Sequence, residues 1–166
     1  DLGVELKRPF LFLEIARKIK NHKFVMICPM GNSSTLNYER LKEEANKIKN
    51  LNFIESVKFE KIEDYFARAK LFISTSDYEG FPNTFVQSAK NKVPIISLNV
   101  DPDEFISKNE CGVFVKGNFK NMLKAVKSLS EDERELKALG RNALNYVKRN
   151  HDIKKIIKQY KIILKK

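Results

Sequence analysis

The chain has 166 residues, of which 42% are hydrophobic and 32% are charged, and its formal net charge at pH 7 is +11. This length and apolar content suit one folded domain and exclude a disordered basic tail. Apolar runs such as residues 24–28 are too short for a membrane-spanning helix. The chain opens with neither a secretory signal pattern nor Met, so we interpret it as a piece of a longer protein.

Short apolar runs alternate with amphipathic stretches along the chain. The runs of strand length are residues 24–28, 52–54, 71–74, 94–98 and 112–115. The stretches of helix length are residues 10–19, 36–49, 62–69, 84–90, 119–129, 131–150 and 153–164, with a further helix after Asp101. A fully apolar run such as residues 24–28 is typical of a strand that is buried on both faces.

Several prolines and polar residues predict where helices begin. Pro9 suits the first position of a helix, and Asn118 suits an N-cap. Asp101 and Ser130 each stand three residues before a glutamate, which is the spacing of a capping box. We therefore predict that helices start just after these residues.

The alternation of short strands with helices is typical of βαβ units. We therefore predict an α/β fold, a Rossmann-like doubly wound parallel sheet that includes residues 1–166 in one lobe. Such sheets bind ligands beyond the carboxyl ends of their strands. The candidate loops are those that follow Cys28, Ser74, Leu98 and Val115.

The positive charge is concentrated near the C-terminus. Residues 141–166 carry nine of the 32 basic side chains and one of the 21 acidic ones, a net charge of +8, which leaves +3 for residues 1–140. A nucleic-acid-binding domain spreads basic and aromatic side chains across one face of its body. Because this body is nearly balanced, we predict that it does not bind nucleic acid.

Several other classes of site lack their sequence signals. The two cysteines, Cys28 and Cys111, are too few for a disulfide framework and are expected to be buried thiols in a reducing cytoplasm. No Cys-x-x-Cys occurs, and His22 and His151 lie far from both thiols in sequence, so we expect no metal site. The patterns of a P-loop and of a dinucleotide fold are also absent.

The loop after the third predicted strand has the most informative sequence. Glu79 stands just past the strand, and Gly80 permits close approach of the backbone to a ligand. Pro82 and Asn83 begin a helix whose free N–H groups favour an anion such as a phosphate. Gln87 lies one turn further, on the same side as Asn83. This set suits a nucleotide sugar, although an ordinary turn and helix cap have the same local pattern.

The stretch from Phe72 to Ile96, FISTSDYEGFPNTFVQSAKNKVPII, resembles the signature of the family 4 retaining glycosyltransferases. In that signature Glu-Gly-Phe follows a strand and a serine, seven residues separate two glutamates, and a Gly-x-Pro-Val-Ile strand comes next. Weaker similarity extends over nearly the whole chain, at Lys7-Arg-Pro-Phe-Leu-Phe, at residues 24–31 and at Cys111-Gly-Val-Phe-Val. The resemblance implies the C-terminal, donor-binding lobe of a GT-B fold, truncated at its N-terminal edge.

The resemblance assigns roles to residues of the central loop. Glu79 matches the first glutamate, which contacts the donor sugar. Gln87 stands in place of the second glutamate, which bonds to the nucleotide ribose; an amide still accepts a hydrogen bond there, but without the strength that a charge adds. The loop and helix start that receive the sugar hydroxyls and the diphosphate match Gly80, Phe81, Pro82, Asn83 and Thr84.

Residues outside this loop complete the implied donor site. Lys7 matches the diphosphate-binding lysine of the family. The partner arginine of the family lies on an upstream strand that this sequence lacks, and Arg8 is the candidate substitute. Gly31 matches the glycine-rich loop that follows the strand at residues 24–28.

The resemblance also implies an activity. The full-length protein would be a hexosyltransferase that moves a sugar from a UDP-, GDP- or ADP-sugar to an acceptor with retention of configuration. The donor lobe would need neither metal nor cofactor, the missing N-terminal lobe would bind the acceptor, and the isolated lobe would transfer nothing. Two alternatives stay open: a GT-B-related epimerase or phosphorylase, and a basic non-catalytic adaptor domain.

Residues 152–166 form a predicted basic amphipathic helix. Its apolar side chains follow a helical stripe, and its lysines lie largely off that stripe. One interpretation is a solvated lysine face over a packed apolar stripe. The other is attraction to an anionic membrane surface, at the inner face of the cell membrane.

Overall fold

Strands and helices alternate along residues 6–30 and 35–164, the part of the chain that the computed structural model describes. The strands are β1 (Phe24–Ile27), β2 (Leu51–Ile54), β3 (Phe72–Ser74), β4 (Ile95–Ser97) and β5 (Gly112–Phe114). The helices are α1 (Pro9–Lys18), α2 (Thr35–Asn46), α3 (Phe59–Arg68), α4 (Asn83–Lys90), α5 (Phe105–Lys108), α6 (Phe119–Glu131), α7 (Glu133–Asn150) and α8 (Ile153–Ile163). Each predicted strand and helix is present, with bounds that differ by a few residues.

Every strand pair in the described residues is parallel. β1 pairs with β2, with Phe24 opposite Leu51. β4 lies between β3 and β5 in a second, three-stranded sheet, where Ile95 faces Phe72 on one side and Gly112 on the other. The α/β fold with parallel pairing is therefore confirmed, with the strands grouped as two plus three.

Helices cover both faces of the three-stranded sheet. The neighbouring residues Ile95 and Ile96 are both fully buried, but they belong to different apolar clusters because successive strand residues point to opposite faces. The cluster around Ile96 draws on α1, α2 and α6, and the cluster around Ile95 draws on α4, α5 and α7. This two-sided burial is the doubly wound arrangement that the sequence predicts.

Two predictions of burial are wrong, that for the strand at residues 24–28 and that for the thiol of Cys28. Residues 24–28 were expected to be covered on both faces, but the side chain of Val25 is 47% exposed while that of Phe24 is buried. Cys28, just past β1, is only half-buried, whereas Cys111 is fully buried, and this burial raises the pKa of the Cys111 thiol to about 12. An apolar run alone does not report which side of a strand is covered.

Two of the predicted helix starts use different residues. Asp132, not Ser130, caps α7 by accepting the N–H of Glu135 at 2.8 Å. The Ser130 hydroxyl instead contacts His22 Nε2 at 2.9 Å and donates to a backbone carbonyl of α6. The N-cap residue of α5 is Glu104, not Asp101. The Asp101 carboxylate accepts the N–H of Ile106 at 2.6 Å from before an intervening 3₁₀ turn, and so it forms no capping box.

The helices α4 and α7 approach each other closely. A Cβ atom on Gly140 of α7 would lie 2.1 Å from the carbonyl oxygen of Lys92, so only glycine fits there. Lys92 follows the end of α4 and has a φ of 59°, in the left-handed region. This contact fixes the distance between α7 and the turn that leads into β4.

Four aromatic rings join the C-terminal end of α7 to the loop before α4. Phe81 lies with its ring centroid 4.6 Å from that of His151 and 5.5 Å from that of Phe105, and it stacks on Tyr146. We call these four residues the aromatic cluster.

None of the helices in the described residues combines the length and the hydropathy that a membrane-spanning helix needs.

Candidate functional site

The loop that follows β3 is built on buried hydroxyl groups. Ser74, Thr75 and Ser76 are all buried, where their backbone follows the end of the strand. The hydroxyl of Ser76 donates to Oε1 of Glu79 at 2.7 Å. This bond holds the Glu79 carboxylate against its own loop, just past the end of β3.

The N-terminal segment of the described chain lies along this loop. The N–H of Asp77 donates to the carbonyl of Leu6 at 2.7 Å, and the hydroxyl of Thr75 donates to the carbonyl of Lys7 at 2.9 Å. Residues 6–8 are therefore held at the site by backbone as well as by side-chain contacts. Two predicted site residues, Lys7 and Arg8, enter the site in this way.

Lys7 and Glu79 form an ion pair at the end of β3. Lys7 Nζ lies 2.6 Å from Glu79 Oε2, and the Glu79 side chain is only 17% exposed, whereas that of Lys7 is 56% exposed. Each Glu79 oxygen therefore has one partner, Ser76 or Lys7. The pair presents an ammonium group to solvent and a largely shielded carboxylate beside it.

A second ionic contact fixes Arg8. Its Nη1 donates to Asp77 Oδ1 at 2.9 Å, and the amide of Asn99 donates to the same oxygen at 2.7 Å. Asn99 follows β4, so this contact ties the ends of two strands together. Gly117, after β5, has a φ of 77°, and a Cβ atom there would lie 2.9 Å from the Asn99 oxygen.

The start of α4 leaves backbone donors without a side-chain cap. Pro82 is the N-cap residue, and it offers no side-chain acceptor to the first N–H groups of the helix. Asn83 and Thr84 are exposed, as is Gly80 in the loop before them. The partial positive charge of a helix N-terminus attracts an anion.

The remaining predicted site residues lie in different settings. The ring of Phe81 turns inward and packs in the aromatic cluster. Only the backbone of Phe81 therefore belongs to the surface of the loop. Gln87 is half-buried one turn after Asn83. The prediction for Gly31 lies outside the described residues.

The geometry adds residues that sequence reasoning missed. Ser76, Asp77 and Asn99 orient Glu79 and Arg8, and none of them was selected from the sequence. A signal existed for Asn99, because it directly follows a predicted strand at the edge where ligands bind. Ser76 and Asp77 carry no such signal, since Ser and Asp are common in any turn.

Two further features lie at the carboxyl ends of the strands. Glu55, at the end of β2, pairs with Lys42 of α2 at 2.7 Å, and this hydrogen bond raises the pKa of the lysine. An open cavity of about 420 Å³ lies at the end of β5. It is lined by Val113, Phe114, Val115, Lys116, Asn118 and Asn121.

The site therefore combines cations, a shielded carboxylate and an uncapped helix start at the carboxyl edge of parallel strands. Residues 3–146 match the family described as "Glycosyl transferases group 1", and the chain belongs to that family. This match confirms that the resemblance seen at residues 72–96 is to a glycosyltransferase, while the assignment to the retaining enzymes of family 4 stays a prediction. No curated protein matches the sequence significantly.

Solved structures share the fold at low sequence identity. HepE of Anabaena, in complex with UDP-glucose, matches with a TM-score of 0.84 and 14% identity over 97% of this chain and 46% of its own. A mutant of TarM from S. aureus, in a complex that includes UDP, matches with a TM-score of 0.77 and 20% identity over 93% of this chain and 32% of its own.

A third solved structure is itself a separate C-terminal domain. The C-terminal domain of LpcC, a glycosyl transferase group 1 family protein from Francisella tularensis, matches with a TM-score of 0.77 and 17% identity. The match covers 90% of this chain and 82% of that domain. The present chain thus spans less than half of HepE or TarM, but corresponds to most of this domain.

Proposed function

We propose that the chain is the donor-binding lobe of a retaining glycosyltransferase that uses a nucleotide-diphosphate sugar. The observation that carries the proposal is the Lys7–Glu79 ion pair at the carboxyl edge of the sheet, in the loop that leads to the uncapped start of α4. The solved complexes of HepE with UDP-glucose and of the TarM mutant with UDP support a nucleotide-sugar ligand.

The cations are proposed to neutralise the diphosphate of the donor. Lys7 would exchange its contact with Glu79 for a phosphate oxygen, while the N–H groups near Asn83 and Thr84 would bind further oxygens. Arg8, already held by Asp77, would add a fixed positive charge. These groups would stabilise the leaving nucleoside diphosphate as its charge develops.

Glu79 is proposed to position the sugar. Its Oε1 atom is fixed by Ser76, and Oε2 becomes free to accept a sugar hydroxyl when Lys7 turns to the phosphates. Glu79 would not form a covalent intermediate, and the acceptor would attack from the face that the nucleotide leaves. Gln87 would accept a hydrogen bond from the ribose through its amide oxygen.

The whole protein's reaction needs more than this chain. The acceptor is proposed to bind on a second lobe, and the reaction in the donor lobe is proposed to need neither metal nor cofactor. Residues 1–166 alone would then bind donor without transferring sugar. Retention of the anomeric configuration, the nucleobase and the sugar are parts of the same proposal.

The proposal is tested by donor binding to the 166-residue chain. We expect saturable binding of one of UDP-glucose, GDP-mannose and ADP-glucose in isothermal titration calorimetry. Glu79→Ala and Lys7→Ala should each weaken this binding about tenfold or more, because each removes a charged hydrogen-bonding partner. Glu60→Ala and Lys20→Ala are matched controls, since both of these side chains are exposed and outside the site.

Two results would contradict the proposal. One is a chain that is folded by circular dichroism yet binds none of the three donors at millimolar concentration. The other is donor binding that Glu79→Ala and Lys7→Ala leave as strong as the control variants do. Measurable sugar transfer by the 166-residue chain would overturn the part of the proposal that assigns the acceptor to a second lobe.

A further inference from the structure

The loop between β3 and α4 is held in place mainly by side chains. Its backbone is hydrogen-bonded to other backbone groups at Asp77 and at Pro82, near its two ends. Between these points, within the part of the chain that the structure describes, residues 78–81 make no backbone–backbone hydrogen bond. The side chains of Glu79 and Phe81 are therefore the anchors of this segment, which we call the β3–α4 loop.

Phe81 is the anchor that a bound donor would leave in place. In the proposed function, Lys7 gives up its contact with Glu79 when it turns to a phosphate oxygen. The Phe81 ring packs inward instead, away from the proposed ligand. Because Phe81 stands between Gly80 and Pro82, the position of its ring sets the course of the backbone just before α4. The packing of this ring therefore governs where the first N–H groups of α4 lie.

His151 is the ring of the aromatic cluster that lies nearest to Phe81. The two centroids are 4.6 Å apart, whereas Phe105 and Tyr146 lie at 5.5 and 6.4 Å from Phe81. His151 is also the C-cap residue of α7. Phenylalanine does not ionise, and burial raises the pKa of Tyr146 above its ordinary value. Near neutral pH, the charge of this cluster therefore changes at His151.

The groups around His151 determine which form of its imidazole fits the cluster. Burial disfavours the charged ring and lowers the pKa of His151 from 6.5, while the carboxylate of Asp103, in the 3₁₀ turn before α5, opposes this shift in part. The carboxylate of Asp152 accepts an N–H of α8 at 2.8 Å. In the last turn of α7, Lys148 and Arg149 line an open cavity of about 490 Å³. The packed cluster therefore favours the neutral imidazole.

We propose that His151 is a positioning residue of the donor site: its neutral imidazole holds the Phe81 ring, and with it the β3–α4 loop, and protonation releases both. The inference rests on the proposed function and adds a dependence on pH to it. A donor binds the loop with the ring packed, whereas a proton favours the ring released into water. The two equilibria are linked, so donor affinity falls as the pH falls through the titration of His151.

The first test needs no donor. The backbone amide resonances of Gly80, Phe81 and Asn83 are followed by NMR from about pH 7.5 to about pH 5, the range in which a histidine titrates. We expect them to shift with the same midpoint as the ring protons of His151. In His151→Phe this transition should be absent, because the variant keeps an aromatic ring but takes up no proton.

Asp103→Asn tests the electrostatic part of the proposal. The substitution removes the carboxylate that favours the imidazolium, so the shared midpoint of His151 and the loop amides should move to lower pH. Asparagine tolerates the left-handed φ of 51° at this position. A contact between His151 and Phe81 that serves packing alone would not respond to this variant.

The second test measures donor affinity by calorimetry. For a nucleotide sugar, whose diphosphate has no terminal phosphate group that titrates in this range, the dissociation constant should rise about threefold from about pH 7.5 to about pH 5.5. His151→Phe should show a smaller rise. His22→Gln is the matched control and should keep the threefold rise, because His22, the other histidine of the chain, contacts Ser130 outside the aromatic cluster.

Several results would overturn the proposal. These are loop amides that do not follow His151, a midpoint that Asp103→Asn leaves unchanged, and an equal rise of the dissociation constant in the wild type and in His151→Phe. Loss of the helical circular dichroism signal at about pH 5.5 would show global unfolding in place of local release. Loop amides that follow His151 in a chain that binds no donor would instead contradict the proposed function and support the coupling of His151 to the loop.

Discussion

Gln87 is the site residue whose chemistry differs most from the pattern that the chain resembles. It occupies the place of a glutamate, eight positions after Glu79, and it lies half-buried in the second turn of α4. A neutral amide oxygen accepts a hydrogen bond with roughly half the strength of a carboxylate. In the proposed donor site, Gln87 would therefore lower the affinity that a contact with the ribose can supply.

Gln87→Glu is therefore expected to tighten donor binding. A charge-assisted bond to a ribose hydroxyl in place of a neutral one should lower the dissociation constant about fivefold. Calorimetric titration with the best donor measures this change. The same substitution should have no effect on a donor analogue that lacks both ribose hydroxyls, and a loss of affinity for the intact donor would contradict the assigned role.

Site residues differ in how far the sequence could predict them. Lys7 and Glu79 were identified by resemblance, and the structure brings them within 2.6 Å although 71 residues lie between them. Ser76 bonds to Glu79, and Asp77 holds Arg8 and accepts from Asn99, so these contacts depend on how three segments of the chain meet at the sheet edge. No local sequence pattern predicts that these segments lie together, because their positions follow from the register of β3 and β4.

At the scale of elements, the turn between α4 and β4 contains a strained residue. Lys92 adopts a φ of 59°, a conformation that costs a residue with a Cβ atom about 1 kcal/mol. The turn is held by hydrogen bonds from the N–H groups of Lys92 and Val93 to α4 carbonyls. The Gly-x-Pro of the resembled signature places glycine at this position.

Lys92→Gly is expected to stabilise the protein. Relief of the left-handed strain should raise the free energy of unfolding by about 1 kcal/mol, part of which is offset by the greater freedom of glycine in the unfolded chain. Urea unfolding followed by circular dichroism measures the change. Lys124→Gly in the middle of α6 is the control and should lower the free energy of unfolding by about 1 kcal/mol. If Lys92→Gly lowers the free energy of unfolding as much as Lys124→Gly does, the strain at Lys92 is negligible.

The start of α7 shows why element boundaries resist prediction. Ser130 and Asp132 both stand three residues before a glutamate, so both fit a capping box. Asp132 caps the helix because α6 continues through Ser130, whose hydroxyl is engaged with His22. The choice is made by a contact across 108 positions of sequence, which no local pattern contains.

At the scale of the whole molecule, the aromatic cluster couples stability to pH. Burial of His151 against Phe81 and Tyr146 lowers the pKa of its imidazole from 6.5, and the nearby Asp103 opposes this shift only in part. The unfolded chain therefore takes up the proton at a higher pH than the folded one does. Stability contributed by the neutral ring is present above pH 6.5 and is lost as the pH falls below it.

We therefore expect the melting temperature to fall between pH 6.5 and pH 5, above the range in which carboxylates such as Glu63 titrate. Thermal melts of the wild type and of His151→Phe measure this dependence. The variant keeps an aromatic ring in the cluster but should show a flatter profile over that interval. Identical slopes for the two proteins would contradict the assignment.

The overall architecture was the most predictable level, because periodicity, strand length and alternation of elements all favoured parallel βαβ units. The distribution of charge along the chain was also predictable, because its concentration in residues 141–166 is a property of the sequence alone. Which residues surround these charged side chains in the fold could not be predicted from the sequence. Lys148 and Arg149 of α7 line one open cavity together with Lys108, which precedes β5, and only the packed fold brings these residues together.

The attachment of residues 6–8 has a consequence for the order in which the molecule assembles. The contacts of Arg8 with Asp77 and of Lys7 with Thr75 close chain loops of 69 and 68 positions, so they cost more chain entropy than the turns within each βαβ unit. The sheet can therefore form before the contacts at its carboxyl edge are complete. The Asp77 amide, which donates to Leu6, is a direct hydrogen-exchange reporter of that last closure.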